Sequence, residues 1–234
     1  MPKKAMVTVR PYQHALPVVG ASAARSSRSA LPAPSDHRSI DASSYDRKGR
    51  DFYATPHWVT EALLRHIRFR APIWEPCCGD GTMSTVLAAN GYEVVSSDIA
   101  DCGFGIPGVD FLASRSVHGG CRSIITNPPY GEAAIHEGQA RTSPKAMLEF
   151  LRHALALTAT VQGQLALLVR LQWIAGKRVA EVMTAAPFAA VVVLTHRIQW
   201  FDMGERTNAG QHHHAWVVFD HEHPPGLPPA LLYA

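Results

Sequence analysis

The sequence predicts an α/β domain whose sheet is mostly parallel and ends in an antiparallel strand pair. Two observations carry this. From about residue 50, short β-rich runs alternate with segments of helical periodicity, the pattern of a parallel sheet covered by helices. The last two β-rich runs are separated by a polar loop with no helical pattern, which suits an antiparallel return.

The bulk composition sets the limits. A chain of 234 residues can bury one sizeable core. With 47% hydrophobic and 18% charged residues it reads as globular. A net charge of +3 suits a polyanionic partner without requiring one. Cys77, Cys78, Cys102 and Cys121 form no C-x-x-C pair, so a reducing, cytoplasmic setting is the simplest reading. The longer apolar runs are broken by charge, Gly or Pro, and no membrane span is expected.

Three segments follow from composition. Residues 1–45 are rich in Ala, Ser, Pro and Arg, and Lys3, Lys4, Arg10, Arg25 and Arg28 precede the first acid, Asp36. They read as a disordered basic leader, with a phosphate-tracking arm as the sharper alternative. Residues 46–222 form the folded domain, and 223–234 a Pro-rich tail.

Within the domain, Pro56 to Arg68 reads as a helix with Thr55 as N-cap and an apolar face of Val59, Leu63, Leu64 and Ile67. Ile73 to Pro76 is a short strand. A Gly-containing turn leads to a helix near Thr82 to Asn90, with Gly91 in the C-cap region. Glu93 to Ser97 and Arg122 to Thr126 are strands. Pro144 to Thr158 is a helix, Gln164 to Leu171 a buried strand, and Lys177 to Thr184 a further helix. Val191 to Thr195 and Ala215 to Phe219 are the closing β-rich runs.

Three strand ends carry chemistry. After the first strand, Glu75-Pro76-Cys77-Cys78-Gly79-Asp80-Gly81 offers glycines that let backbone approach a ligand. There is no G-x-G-x-x-G and no Walker lysine, which disfavours phosphate binding. Glu75 can act through its charge on a cationic ligand. Asp98 ends the next strand, where a carboxylate can take ribose hydroxyls. Asn127-Pro128-Pro129-Tyr130 follows the third. An exocyclic aromatic amine is a poor nucleophile because its lone pair is delocalised. Two acceptors on its N–H groups draw it toward a tetrahedral geometry. The Asn127 side-chain oxygen and the Pro128 carbonyl can be those acceptors, with Pro129 stiffening the turn and Tyr130 offering a ring for stacking.

In this order the elements resemble the S-adenosylmethionine-dependent amino-methyltransferases, especially small phage-type N6-adenine DNA methyltransferases. The resemblance covers about residues 50–220, through Phe52-Tyr53-Ala54-Thr55-Pro56, Glu75–Gly81, Asp98, Asp110-Phe111-Leu112 and Asn127–Tyr130. It implies a Rossmann-like methyltransferase fold with S-adenosylmethionine as cofactor. Phe52 would pack by the cofactor, and Thr55 would help hold its carboxylate at a helix N-terminus. Glu75, Pro76, Gly79 and Gly81 would line the methionine part. Asp98 would take the ribose and Asp110 the adenine amino group, with Phe111 beside it. Arg197, in His196–Phe201, would be placed to meet a phosphate, or is an ordinary surface arginine. The reaction implied by the resemblance is methyl transfer to adenine N6 in DNA, with the base flipped out of the duplex.

Rival readings keep the site and change the substrate: RNA adenine or release-factor glutamine. Cytosine N4 is less favoured, because the family's cytosine enzymes usually carry Ser where Asn127 stands. A non-catalytic DNA- or partner-binding protein is the alternative of another class. About fourteen residues follow Asp220, too few for a target-recognition domain. Loops 131–145 and 202–214 are the expected base-contacting segments, and specificity is expected to be short, relaxed, or supplied by a second subunit or partner. His212-His213-His214 reads as a solvated turn, so no metal is expected.

Overall fold

Ile73, Trp74 and Ile124, Ile125 are fully buried, because the strands that hold them are covered on both faces. The computed structural model describes residues 54–129, 134–136, 139–141, 146–200 and 212–234. Among the described residues the α-helices are α1 (His57–His66), α2 (Thr82–Ala89), α3 (Ala146–Ala159) and α4 (Lys177–Ala185). The strands are β1 (Ile73–Glu75), β2 (Val94–Ser96), β3 (Ser123–Thr126), β4 (Ala134–His136), β5 (Gln139–Arg141), β6 (Gln164–Arg170), β7 (Phe188–Val193), β8 (His214–Asp220) and β9 (Ala230–Tyr233).

Seven strands form one sheet in the order β2-β1-β3-β6-β8-β7-β9, and β4 pairs with β5 in a separate hairpin. The first four run parallel, β8 is antiparallel to both β6 and β7, and β9 is parallel to β7. The expected antiparallel pair is therefore β7 and β8.

Period-2 alternation splits the core into two. Leu165, Leu167 and Val169 of β6 join Val217 and Phe219 of β8 and face Leu151, Val179 and Met183 of α3 and α4. Ala166 and Leu168 join Trp216 and Val218 and face Leu63 and Leu87 of α1 and α2. Buried tryptophans satisfy their N–H groups as they fill these layers. Trp216 Nε1 donates to the Val59 carbonyl at 2.9 Å, tying α1 to β8. Trp74 Nε1 donates to Ser97 Oγ at 2.9 Å.

Two expectations need correction. Helix α1 starts at His57 with Pro56 in the capping position, and the Thr55 hydroxyl is used elsewhere. Residues 223–234 include a strand: β9 pairs with β7 from Ala190↔Ala230 to Val193↔Tyr233. Proline prevents extension before Ala230 but not the edge pairing after it. The leader, residues 1–45, lies outside the described residues.

Candidate active site

The chain leaves β1 for β2 on one side and later returns to β3 on the other, so the strand order reverses between β1 and β3. In open α/β sheets this is where a crevice opens beyond the strands' carboxyl ends. The turn after Glu75 and the segment after Thr126 meet there.

The turn after β1 is built by its glycines. Gly79 and Gly81 have φ of 53° and 80°, in the left-handed region. A Cβ on Gly81 would run into the Phe104 ring. Asp80 Oδ1 accepts from the Thr82 N–H at 3.0 Å and from its hydroxyl at 2.7 Å, starting α2. Pro76 is buried beside Glu75. Asp98 bridges the neighbouring strand end: its Oδ2 accepts from Gly79 N–H at 3.0 Å and its Oδ1 from Ala100 N–H at 2.9 Å.

Glu75 is 2% exposed, and Ser84 Oγ is hydrogen-bonded to its carboxyl. Burial, above all, pushes its pKa up to about 8, with Asp98 and Asp80 adding repulsion against the Ser84 bonds. Burial likewise raises the Cys77 thiol, and Cys78 to about 12, so both stay protonated and pack the turn.

Asn127 follows β3 directly. Its Nδ2 donates to Thr55 Oγ1 at 3.2 Å, across 72 residues of sequence. Its Oδ1 is buried and has no hydrogen-bond partner among the described residues. An unsatisfied buried acceptor costs roughly 1–3 kcal/mol. Pro128 is buried and Pro129 half-buried. Among the described residues no donor meets the Pro128 carbonyl. Phe52 and Tyr130 lie outside the described residues, as do most of loops 131–145 and 202–214.

Asp110 is half-buried, and its Oδ1 accepts from Leu112 N–H at 2.9 Å at the head of the short turn Phe111–Ala113. Phe111 points into the core, stacked on Phe150 with centroids 4.3 Å apart and packed on Trp74 at 5.3 Å. The structure thus brings Thr55, Glu75, Gly79, Gly81, Asp98 and Asn127 to one rim and turns Phe111 inward.

Sequence reasoning missed the loop between Asp98 and Asp110. Asp98 N–H donates to the Ile106 carbonyl at 3.0 Å, Ile106 N–H to Ser96 at 2.9 Å, and Val109 N–H to Asp98 at 3.0 Å. This lays Phe104 over the glycine turn. Ile99, Phe104 and Ile106, at 39%, 38% and 46% exposed, leave an apolar lip there. The dense glycines of 103–108 were the available signal.

Comparison with solved structures identifies the architecture. A protein from Listeria monocytogenes, described as a class I S-adenosylmethionine-dependent methyltransferase, superposes with a TM-score of 0.50 at 16% identity, over 76% of this chain and 62% of that one. The fold is that of a class I methyltransferase. The type I restriction-modification system methyltransferase subunit from Streptococcus thermophilus gives a TM-score of 0.51 at 11% identity, over 72% of this chain and 44% of that one. The chain therefore spans less than two thirds of either relative's length. No family model and no curated protein matches the chain.

In this methyltransferase fold, a glycine turn, two strand-end carboxylates and the buried Asn127 amide oxygen meet at the β1/β3 reversal. No helix among the described residues is long and apolar enough to cross a membrane.

Proposed function

We propose that the chain transfers a methyl group from S-adenosylmethionine to the N6 amino group of adenine in DNA, as a small phage-type N6-adenine methyltransferase. The observation that carries this reading is the buried, unpartnered Oδ1 of Asn127 beside the glycine turn. An amino N–H of a flipped base would satisfy it.

The residues present fit the cofactor. Gly79 and Gly81 open the backbone to it, Glu75 meets its cationic methionine part, and Asp98 takes the ribose. Thr55 and Pro76 border that cavity. Asp110 would take the adenine amino group, while Phe111 is turned into the core; Phe52, which the resemblance assigns to the cofactor, lies outside the described residues. When bound, S-adenosylmethionine supplies an electrophilic methyl group on a sulfonium. Asn127 Oδ1 and the Pro128 carbonyl accept the target's N–H groups and turn its lone pair out of the ring. The rigid Pro128-Pro129 pair holds those acceptors in line, and Tyr130 stacks on the base.

DNA is favoured over RNA and release-factor glutamine by the likeness to a restriction-modification methyltransferase subunit. That protein is one subunit of a larger system, which supports a separate partner for this chain; a homodimer is the other arrangement. The test is product identification by mass spectrometry after incubation with labelled cofactor and DNA, RNA or release factor. N6-methyladenine in DNA supports the reading, and label confined to RNA or glutamine replaces the substrate.

A further inference from the structure

Strand β1 carries a carboxyl among apolar neighbours. β1 and β2 run parallel with Glu75 opposite Ser96, so both side chains leave the sheet on one face. Ile73, two residues before Glu75, packs with Met83 and Leu87 of α2, which places that helix over the same face. Ser84 of α2 is 3% exposed. Its Oγ is bonded to the Glu75 carboxyl and lies 2.5 Å from Ser96 Oγ. Three polar groups thus form one chain, from a carboxyl sealed in the core to the half-buried Ser96.

The surroundings balance Glu75 between two states. The start of α2 favours a carboxylate: Gly81 caps the helix without a side chain, and the N–H of Ser84 in the first turn acts on Glu75. Burial opposes the charge. So do the groups that face it from the turn and from the end of β2, the acids Asp80 and Asp98, with the Cys77 and Cys78 thiols neutral beside them. Helix α2 and strand β3 bring no titratable side chain.

A hydroxyl both donates and accepts, so the chain can point either way. With Glu75 neutral, its O–H donates to Ser84, and Ser84 donates to Ser96. When Glu75 ionises, its proton passes to Ser84 Oγ, the Ser84 proton to Ser96 Oγ, and the Ser96 proton to water. Ser96 then donates to Ser84, and Ser84 to the carboxylate. One proton has left, and neither hydroxyl has lost a partner.

We propose that Ser84 and Ser96 are positioning residues for Glu75, a two-hydroxyl chain that serves its neutral and its ionised form and so lets the cationic cofactor draw the carboxyl into its ionised state. The assignment rests on the reading that Glu75 meets the cationic part of S-adenosylmethionine.

The test is calorimetry of S-adenosylmethionine binding across the alkaline and acid sides of neutrality, with folding checked by thermal melts. Wild type is compared with S84A, S96A, E75Q and E75Q/S84A. In wild type the cofactor must displace the proton, so affinity should rise about tenfold per pH unit and level off near pH 8. S84A removes one hydrogen bond from the charged form. Its plateau should move up by about one pH unit, and its affinity at neutral pH should fall about tenfold. S96A, one link further out, should act in the same direction by about threefold, and it carries the test alone if S84A fails to fold. With Glu75 replaced the serines have no charge to serve, so E75Q/S84A should bind as E75Q does. Serine variants with the wild-type pH profile, or S84A weakening E75Q as much as it weakens wild type, would overturn the assignment. If E75Q itself binds weakly, that outcome leaves the role of Glu75 standing. E75Q binding as tightly as wild type at every pH would remove that role, and the serine chain with it.

Discussion

At the scale of single residues, the Thr55–Asn127 contact decides how the crevice presents an acceptor. The Nδ2 group is held by Thr55 Oγ1, which leaves Oδ1 facing an unmet demand. Asn127→Ala should lower kcat by about 100-fold or more, as loss of a positioned transition-state group does, with cofactor affinity by calorimetry unchanged. Thr55→Val should lower kcat by about tenfold through loss of one hydrogen bond, and Thr55→Ser should restore it. A Thr55→Val variant with normal kcat and weakened cofactor binding would instead place Thr55 on the cofactor. Glu75 makes a second prediction. Its folded pKa, about 8, lies above the ordinary carboxyl value of 4.5, so its contribution favours folding most at low pH and is lost as pH rises toward 8. Glu75→Gln should therefore gain melting temperature relative to wild type between pH 5 and pH 8.5. A cationic cofactor would ionise Glu75 and release a proton at pH 7. Calorimetry in buffers of different ionisation enthalpy reads that release, and Glu75→Gln should abolish it.

At the scale of elements, the glycine turn and the loop over it act as one unit. Gly81 combines a φ of 80° with the Phe104 ring where a side chain would start. Gly81→Ala should cost about 1–2 kcal/mol from the left-handed backbone alone, with further loss from the clash. Adding Phe104→Ala should recover only the clash, as thermal melts of the two variants would show. The elements differ in how far local pattern revealed them. Strand β6 was legible because burial on both faces leaves an unbroken apolar run from Leu165 to Val169, with shorter apolar pairs marking β1 (Ile73-Trp74) and β3 (Ile124-Ile125). The helix N-cap was misread because Thr55 spends its hydroxyl on Asn127, a tertiary contact invisible to local spacing. The adjacency of Gly79, Asp98 and Asn127 on one rim was legible, since each stands at a strand end. The inward turn of Phe111 was not, because Phe150 lies in a distant helix.

At the scale of the whole molecule, the sheet's last edge depends on β9. Leu232 packs against the core, and the Ala234 carbonyl accepts from both the N–H and the hydroxyl of Thr195 at 2.8 Å. Proline and exposed Leu227, Leu231 and Tyr233 hid this strand from composition. Deleting residues 228–234 should destabilise the domain by about 2–3 kcal/mol from lost pairing and burial, read as a lower melting temperature. The opposite end of the domain is pinned differently: Arg70 bridges Asp220 and Glu222, with Gln164 bonded to Asp220. Both devices brace a sheet whose β1/β3 crevice is proposed to hold cofactor and base. The activity proposed for that site is methyl transfer to adenine N6 in DNA. Labelled S-adenosylmethionine, unmethylated DNA and mass spectrometry of the digested product test it most directly, with Asn127→Ala alongside. Wild type should yield N6-methyladenine and the variant none. No methylated adenine from a folded, cofactor-binding wild type would contradict it.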